Sequence, residues 1–297
     1  MSNVGAYVAL MKLRVVELLL VTTLPALFMA TYAQNHAHKF PPLGVTIATL
    51  IGGTLAAGAS NAFNMVIEVE SDRLMKRTSK RPLVSGEINE QQAVAFSLVI
   101  TIISLLIFLI FTTVLATILT LLAILFYVVG YTLWLKRRTS QNIVWGGIAG
   151  CMPVLIGWAA ITNSLSLTAW LFFFLIFFWT PPHFWALAIK YKEDYAAAGI
   201  PMLPVVASIK SVQKQMWFHS VCMVITSVLV LVSAHLPWWS YVITALLSIG
   251  FATQLFKISG LGSEAAALKL FHWSITYLSV YSLVLVIATV LAKHNAI

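Results

Sequence analysis

An all-α polytopic membrane bundle of nine transmembrane helices is the fold class this sequence predicts, and three observations predict it. Of its 297 residues, 60% are hydrophobic and 9% charged, where a soluble domain carries roughly a quarter charged residues. The charges cluster, leaving uncharged stretches at 18–38, 40–67, 91–135, 139–189, 215–256 and 270–292. A helix needs roughly 20 apolar residues to cross a bilayer, so these stretches hold one, one, two, two, two and one spans.

Taken along the chain, residues 1–15 lack both the apolar core with small-residue cleavage site of a signal peptide and the Arg- and Ser-rich character of a transit peptide. A retained interfacial helix is expected there. Span one follows within 18–38, and span two starts near Leu43 and runs into Asn64, Glu68 and Asp72. Spans three to nine occupy the remaining stretches. With so little chain outside the lipid, residues 1–297 form one integral-membrane domain, and no nucleic-acid partner is expected. Cys151 and Cys222 both lie in spans without CxxC or Cys/His ligand spacing, so packing is the expectation for each.

Nine spans put the termini on opposite sides, and the 18 Lys and Arg residues choose the sides. With the N-terminus cytoplasmic and the C-terminus outside, only Lys39 and Lys293 lie outside, against sixteen cations inside. The acids Glu68, Glu70, Asp72, Glu87, Glu90, Glu193, Asp194 and Glu264 fall on the same inner side, and Glu17 sits at the inner mouth of span one. The outer loops carry little beyond His36, His38, Lys39 and His235. Chemistry is therefore expected at the cytoplasmic face.

Asn64, Glu68 and Asp72 follow one another at i, i+4 and i+8, which stacks three oxygen-bearing side chains in one column of a helix. Carboxylates near a helix C-terminus oppose its dipole and lose solvation at the membrane surface, so the column calls for a cation. Hard oxygen ligands suit Mg²⁺, which binds through one or two carboxylates plus substrate phosphates. The segment that follows supplies Arg73, Lys76, Arg77, Lys80 and Arg81, with Pro82 and Gly86 shaping it as a loop. Acidic column and basic loop together read as a metal-assisted diphosphate site. The alternative is a basic loop that only fixes topology and pairs with the acids.

A second constellation follows span six. Pro181 and Pro182 free the carbonyls of Phe177 and Phe178, so the helix is expected to kink or break there, with His183 facing the irregularity. His183 lies seven to eleven residues before Lys190, Lys192, Glu193 and Asp194. A packed membrane histidine is the bland alternative to a functional one. The aromatic run Phe172, Phe173, Phe174, Phe177, Phe178 and Trp179 is a lipid or core face, or else the lining of a slot for a flat or isoprenoid ligand. His219 and His272 are weaker candidates for haem iron.

At these residues the sequence resembles the membrane prenyltransferase superfamily that attaches isoprenoids to aromatic acceptors, whose first motif is Asn-x-x-x-Asp-x-x-x-Asp. The carrying segments run from Asn61-Ala-Phe-Asn64 through Arg81-Pro-Leu-Val-Ser-Gly86, and from Trp179-Thr-Pro-Pro-His183 through Asp194 to Gly199-Ile-Pro-Met-Leu-Pro204. Leu135 to Asn142, Gly146-Gly-Ile-Ala-Gly150 and Leu270 to Tyr277 also fit. Glu68 stands where the motif usually has its first Asp, and Glu70-Ser71 replaces the common Arg-Asp. The second motif lacks the paired Asp of the quinone-directed relatives and is similar to that of the haem-directed branch.

The resemblance implies a farnesyl transfer from farnesyl diphosphate to a vinyl group of haem B, with haem B a substrate, and hydration giving haem O. It implies Asn64, Glu68 and Asp72 as the Mg²⁺ and diphosphate column, with Arg77, Arg81 and His183 beside them as catalytic residues. Asn61, Lys76, Lys80, Lys136, Lys190, Lys192 and Asp194 complete the expected substrate-binding set. A bacterial inner-membrane location and a haem-accepting enzyme or terminal oxidase assembly as partner go with that implication. The rival functions are prenylation of another aromatic acceptor such as a quinone precursor, a transporter with broken helices, and a haem-carrying electron-transfer subunit.

Overall fold

The computed structural model describes residues 3–34, 40–261 and 264–292. His36, His38, Lys39 and Lys293, used in the topology reading, lie outside the described residues. Among the described residues, nine helices are long and apolar enough to cross a membrane, as expected.

A short first helix, α1 (Asn3–Met11), precedes α2 (Leu13–Gln34) and α3 (Leu43–Ile67). The charged segment after α3 folds as α4 (Val69–Leu74) and α5 (Pro82–Ser85). Then come α6 (Glu90–Phe111) and α7 (Val114–Leu125), which continues into a π-helical segment, Phe126–Leu135. The chain goes on through α8 (Asn142–Thr162), α9 (Leu167–Lys190), α10 (Lys192–Ala197), α11 (Leu203–Val206), α12 (Ile209–Ser233), α13 (Trp238–Leu261) and α14 (Glu264–Leu291).

Helices α8 and α9 are the most buried spans, and α9 packs against α8, α12 and α14. Helix α6 sits at the periphery, where Leu98, Ile102, Leu106 and Leu109 are exposed, as a lipid-facing surface should be. Small residues permit the closest approaches. A side chain on Gly157 would meet the Thr23 carbonyl oxygen at 3.1 Å, and one on Gly147 would meet Thr180 at 3.0 Å. Both cysteines are free, and the Cys151 thiol lies against the Gly147 carbonyl.

Two local features differ from expectation. Helix α9 does not break at Pro181 and Pro182: it runs as one element from Leu167 to Lys190, with both prolines buried. Three packed neighbours hold it, and in a bundle such packing outweighs two missing backbone bonds. Span four, by contrast, widens without a proline. The Lys136 amide donates to Tyr131 O five residues back at 2.9 Å, and the Thr132 hydroxyl reaches Tyr127 O at 2.9 Å. Such π-helical stretches often mark functional sites.

Residues 3–11 are helical, as the start of the chain was expected to be, but α1 is docked rather than free. Ala6 and Leu10 pack with Ala62, Met65, Leu83 and Ile88, leaving Val4 and Val8 exposed. Lys12, with φ 51°, turns the chain into α2.

Candidate functional site

The column on α3 survives the end of that helix. Glu68 caps α3 with φ −102° and ψ 8°, outside the helical region, and α4 begins at once. The bonds from Glu68 N to Asn64 O (3.0 Å) and from Asp72 N to Glu68 O (2.8 Å) preserve the i, i+4 register. Asn64, Glu68 and Asp72 are all buried.

Each member of the column meets a different cation. Lys12 Nζ donates to Asn64 Oδ1 at 2.9 Å, Lys136 pairs with Glu68, and Arg81 pairs with Asp72. Asn64 Nδ2 also donates to Thr132 Oγ1 at 3.3 Å. Thus Asn64 and Glu68, four apart on α3, face Thr132 and Lys136, four apart at the end of the π-helical segment. Its wider winding aims both side chains at α3.

The basic loop is built to return Arg81 to Asp72. Thr78 Oγ1 donates to Asp72 O at 2.8 Å, folding the loop back, and Arg81 is extended with ψ 147° before Pro82 starts α5. Gly86 closes α5 at φ 78°, a conformation glycine adopts without steric cost. The expected shaped loop is therefore present. Arg77 leans the other way, toward the second motif. Its guanidinium carbon sits 5.3 Å from the Tyr191 ring centre and 5.7 Å from that of Tyr195, and Nη2 donates to Tyr195 OH at 3.4 Å.

The remaining expected site residues separate into groups. Asn61 is buried and donates from Nδ2 to Met11 O at 3.0 Å, tying α3 to the end of α1. Lys76, Lys80, Lys190 and Lys192 are exposed at the rim, with Lys190 Nζ 5.3 Å from the Tyr191 ring centre, and none of them bonds to the column. Asp194 is half-buried near Tyr195, on the short turn that Gly199 ends with φ 64°.

His183 belongs to a different environment. Its ring is stacked between Trp179 at 4.2 Å and Phe271 at 4.5 Å, and Nδ1 lies 2.7 Å from Ser274 Oγ. Trp179 Nε1 donates to Ser274 O at 2.9 Å. These contacts join α9 to α14, and no bond from His183 reaches the column. His219 and His272 each engage a carbonyl one turn back through Nδ1, at 2.9 and 2.8 Å.

Sequence reasoning missed Lys12, Thr132, Tyr191 and Tyr195. The available signals were a cation, Lys12, at the junction before span one, and polar and aromatic pairs spaced four apart (Thr132 with Lys136, Tyr191 with Tyr195). Partly exposed as a residue, Lys12 is desolvated at its ammonium, and burial, reinforced by the Arg81 charge, pulls it down to about 7. Burial pushes the Glu68 carboxyl up, but the adjacent Lys136 ammonium more than offsets this and holds it below the usual carboxylate range.

The donor set fits a hard divalent cation. Among the described residues no three His, Cys, Asp or Glu side chains converge. Asn64, Glu68 and Asp72 instead offer two carboxylates and one amide oxygen along one buried column, and Asp72 Oδ1 is buried without a hydrogen-bond partner. An oxygen-only set with a spare buried acceptor matches Mg²⁺ chemistry better than that of softer metals.

Fold and site together define a polytopic membrane protein that gathers buried oxygen ligands and fixed cations at one end of a helical bundle. The chain belongs to the UbiA prenyltransferase family, whose pattern matches residues 19–275, and it is a membrane prenyltransferase. It is 46% identical over 288 residues to a protoheme IX farnesyltransferase of Streptomyces avermitilis, covering 94% of this chain and 92% of that one. The protoheme IX farnesyltransferase of Streptomyces coelicolor is 46% identical over 295 residues, covering 96% and 91%. The fold is also that of a UbiA homologue from Archaeoglobus fulgidus solved with GPP and Mg²⁺, with TM-score 0.68, 18% identity, and 95% and 99% of the two chains covered.

Proposed function

We propose that this chain transfers the farnesyl group of farnesyl diphosphate to a vinyl group of haem B, with addition of water, giving haem O and diphosphate. The one-sided distribution of Lys and Arg supports a reaction at the cytoplasmic face, and similarity to bacterial relatives supports a bacterial inner membrane. The observation that carries the reading is the buried column Asn64, Glu68, Asp72 faced by Lys12, Lys136 and Arg81, in a chain similar to protoheme IX farnesyltransferases.

Asn64, Glu68 and Asp72 would hold Mg²⁺, which when bound supplies Lewis-acid neutralisation of the diphosphate charge. As the C–O bond to the farnesyl carbon breaks, its electron pair passes to the diphosphate oxygen. Arg81 and Lys136 supply positive charge there, and they stabilise the leaving group's charge more in the transition state than in the ground state. The allylic carbon then bonds to the vinyl terminus, and water adds to the carbon next to the porphyrin with loss of a proton. Arg77, spread over Tyr191 and Tyr195, links the diphosphate end to the second motif. The apolar spans keep water from the allylic cation until the vinyl group meets it. Asn61 positions the column through Met11 O. His183 braces α9, which leads into the second motif, against α14. The whole chain acts as one domain.

The test incubates membranes containing the protein with haem B, farnesyl diphosphate and Mg²⁺, and separates the haems by mass. A product heavier than haem B by one farnesyl group and one hydroxyl, lost when any component is omitted, is expected. Product formed only from a competing quinone precursor overturns the haem assignment.

A further inference from the structure

The oxygen atoms that suit a metal are already engaged by this chain's own cations. Asn64 carries Lys12, Glu68 carries Lys136 and Asp72 carries Arg81. The three cations come from three separate places: the junction of α1 and α2, the end of the π-helical segment, and the basic loop. The two ion pairs are secluded, with Lys136 and Glu68 side chains 13% and 5% exposed. A buried carboxylate cannot release its cation to solvent without a replacement charge. A divalent ion supplies that charge, but it also repels an ammonium left in contact with the same oxygens. The ammonium groups can move aside only toward an anion.

Resting on the proposed diphosphate and metal roles, we infer that Lys136 and Lys12 are placeholder cations, which occupy the oxygens of Glu68 and Asn64 at rest and transfer to diphosphate oxygens when the metal takes their place. Metal and diphosphate therefore enter as coupled ligands, each bound weakly alone. Linkage requires that coupling to be reciprocal. It also gives the two lysines a signature that a plain phosphate-binding residue lacks: removing the charge strengthens metal binding while weakening diphosphate binding.

The experiment uses the purified full chain. Mn²⁺ binding without diphosphate is read by electron paramagnetic resonance, and inorganic pyrophosphate binding without metal by calorimetry. Wild type is compared with Lys136→Gln, which keeps a neutral donor beside Glu68, and with Lys12→Met, which lies outside the buried ion pairs. Each substitution is expected to tighten Mn²⁺ about tenfold and to weaken pyrophosphate about tenfold. Mn²⁺ affinity unchanged or reduced in both variants overturns the placeholder role while leaving the metal site standing. Tighter Mn²⁺ with unchanged pyrophosphate overturns the transfer to diphosphate. No Mn²⁺ binding in any of the three proteins overturns both this inference and the metal reading on which it rests.

Discussion

The acidic column below α3 and the His183 sandwich on α9 belong to one bundle, yet they are held by opposite means. Lys12, Thr132, Lys136 and Arg81 reach the column from three directions, and every contact is polar or ionic. His183 is held by two stacked rings and one hydroxyl, all from α9 and α14. A buried cluster of opposite charges is costly to desolvate and is weak evidence for stability, so its presence points to binding. A stacked, hydrogen-bonded imidazole is a packing solution that stabilises two helices.

That contrast is open to direct attack. The largest expected effect is on Arg81. Arg81→Ala removes the cation from Asp72 and from the leaving diphosphate, and is expected to lower kcat/KM for farnesyl transfer by about 10²- to 10³-fold. Steady-state rates in membranes with matched protein levels check it, and a loss under tenfold would take Arg81 out of the charge-stabilising set.

His183→Ala should read out differently. Loss of a ring stacked on both faces is expected to cost about 2–4 kcal/mol of stability, with turnover per folded molecule within about threefold of wild type. Thermal unfolding in detergent paired with turnover separates the two. Transfer lost as fully as in Arg81→Ala, at unchanged stability, would move His183 from brace to acceptor site and erase the contrast.

A smaller effect is expected at Gly146. A side chain there would lie 2.2 Å from the Tyr131 ring, so Gly146→Ala must displace that ring within the π-helical segment. Overpacking of this kind costs about 1–3 kcal/mol, and the loss should appear in thermal unfolding along with reduced transfer. The smallest effect belongs to the rim. Lys80→Ala removes an exposed charge without a bond to the column, and is expected to change the KM for farnesyl diphosphate less than about threefold, the change fading as salt rises.

Much of the bundle was legible because bilayer thickness imposes a length on every span, and charge clusters mark the ends. The column was legible because i, i+4 spacing fixes neighbours on one helix, and the shaped loop followed from Pro82 and Gly86, though the return of Arg81 to Asp72 did not. Partners across helices were not. Nothing in residues 1–15 says that Lys12 will reach Asn64, because that contact depends on how α1 docks under α3 and α5. The π-helical winding that aims Thr132 and Lys136 was invisible for the same reason, as it answers to packing rather than to a local breaker. Pro181 and Pro182 misled in the opposite sense: local rules predict a kink or a break, and contacts with α8, α12 and α14 keep the helix unbroken.

The central claim is that the oxygens below α3 bind the metal and diphosphate of the reaction. Farnesyl transfer to haem B by Asp72→Ala, assayed in membranes where the protein is inserted at wild-type levels, tests it most directly. The account predicts no haem product above background at ordinary Mg²⁺ concentration. Product formed at a rate close to wild type would contradict it.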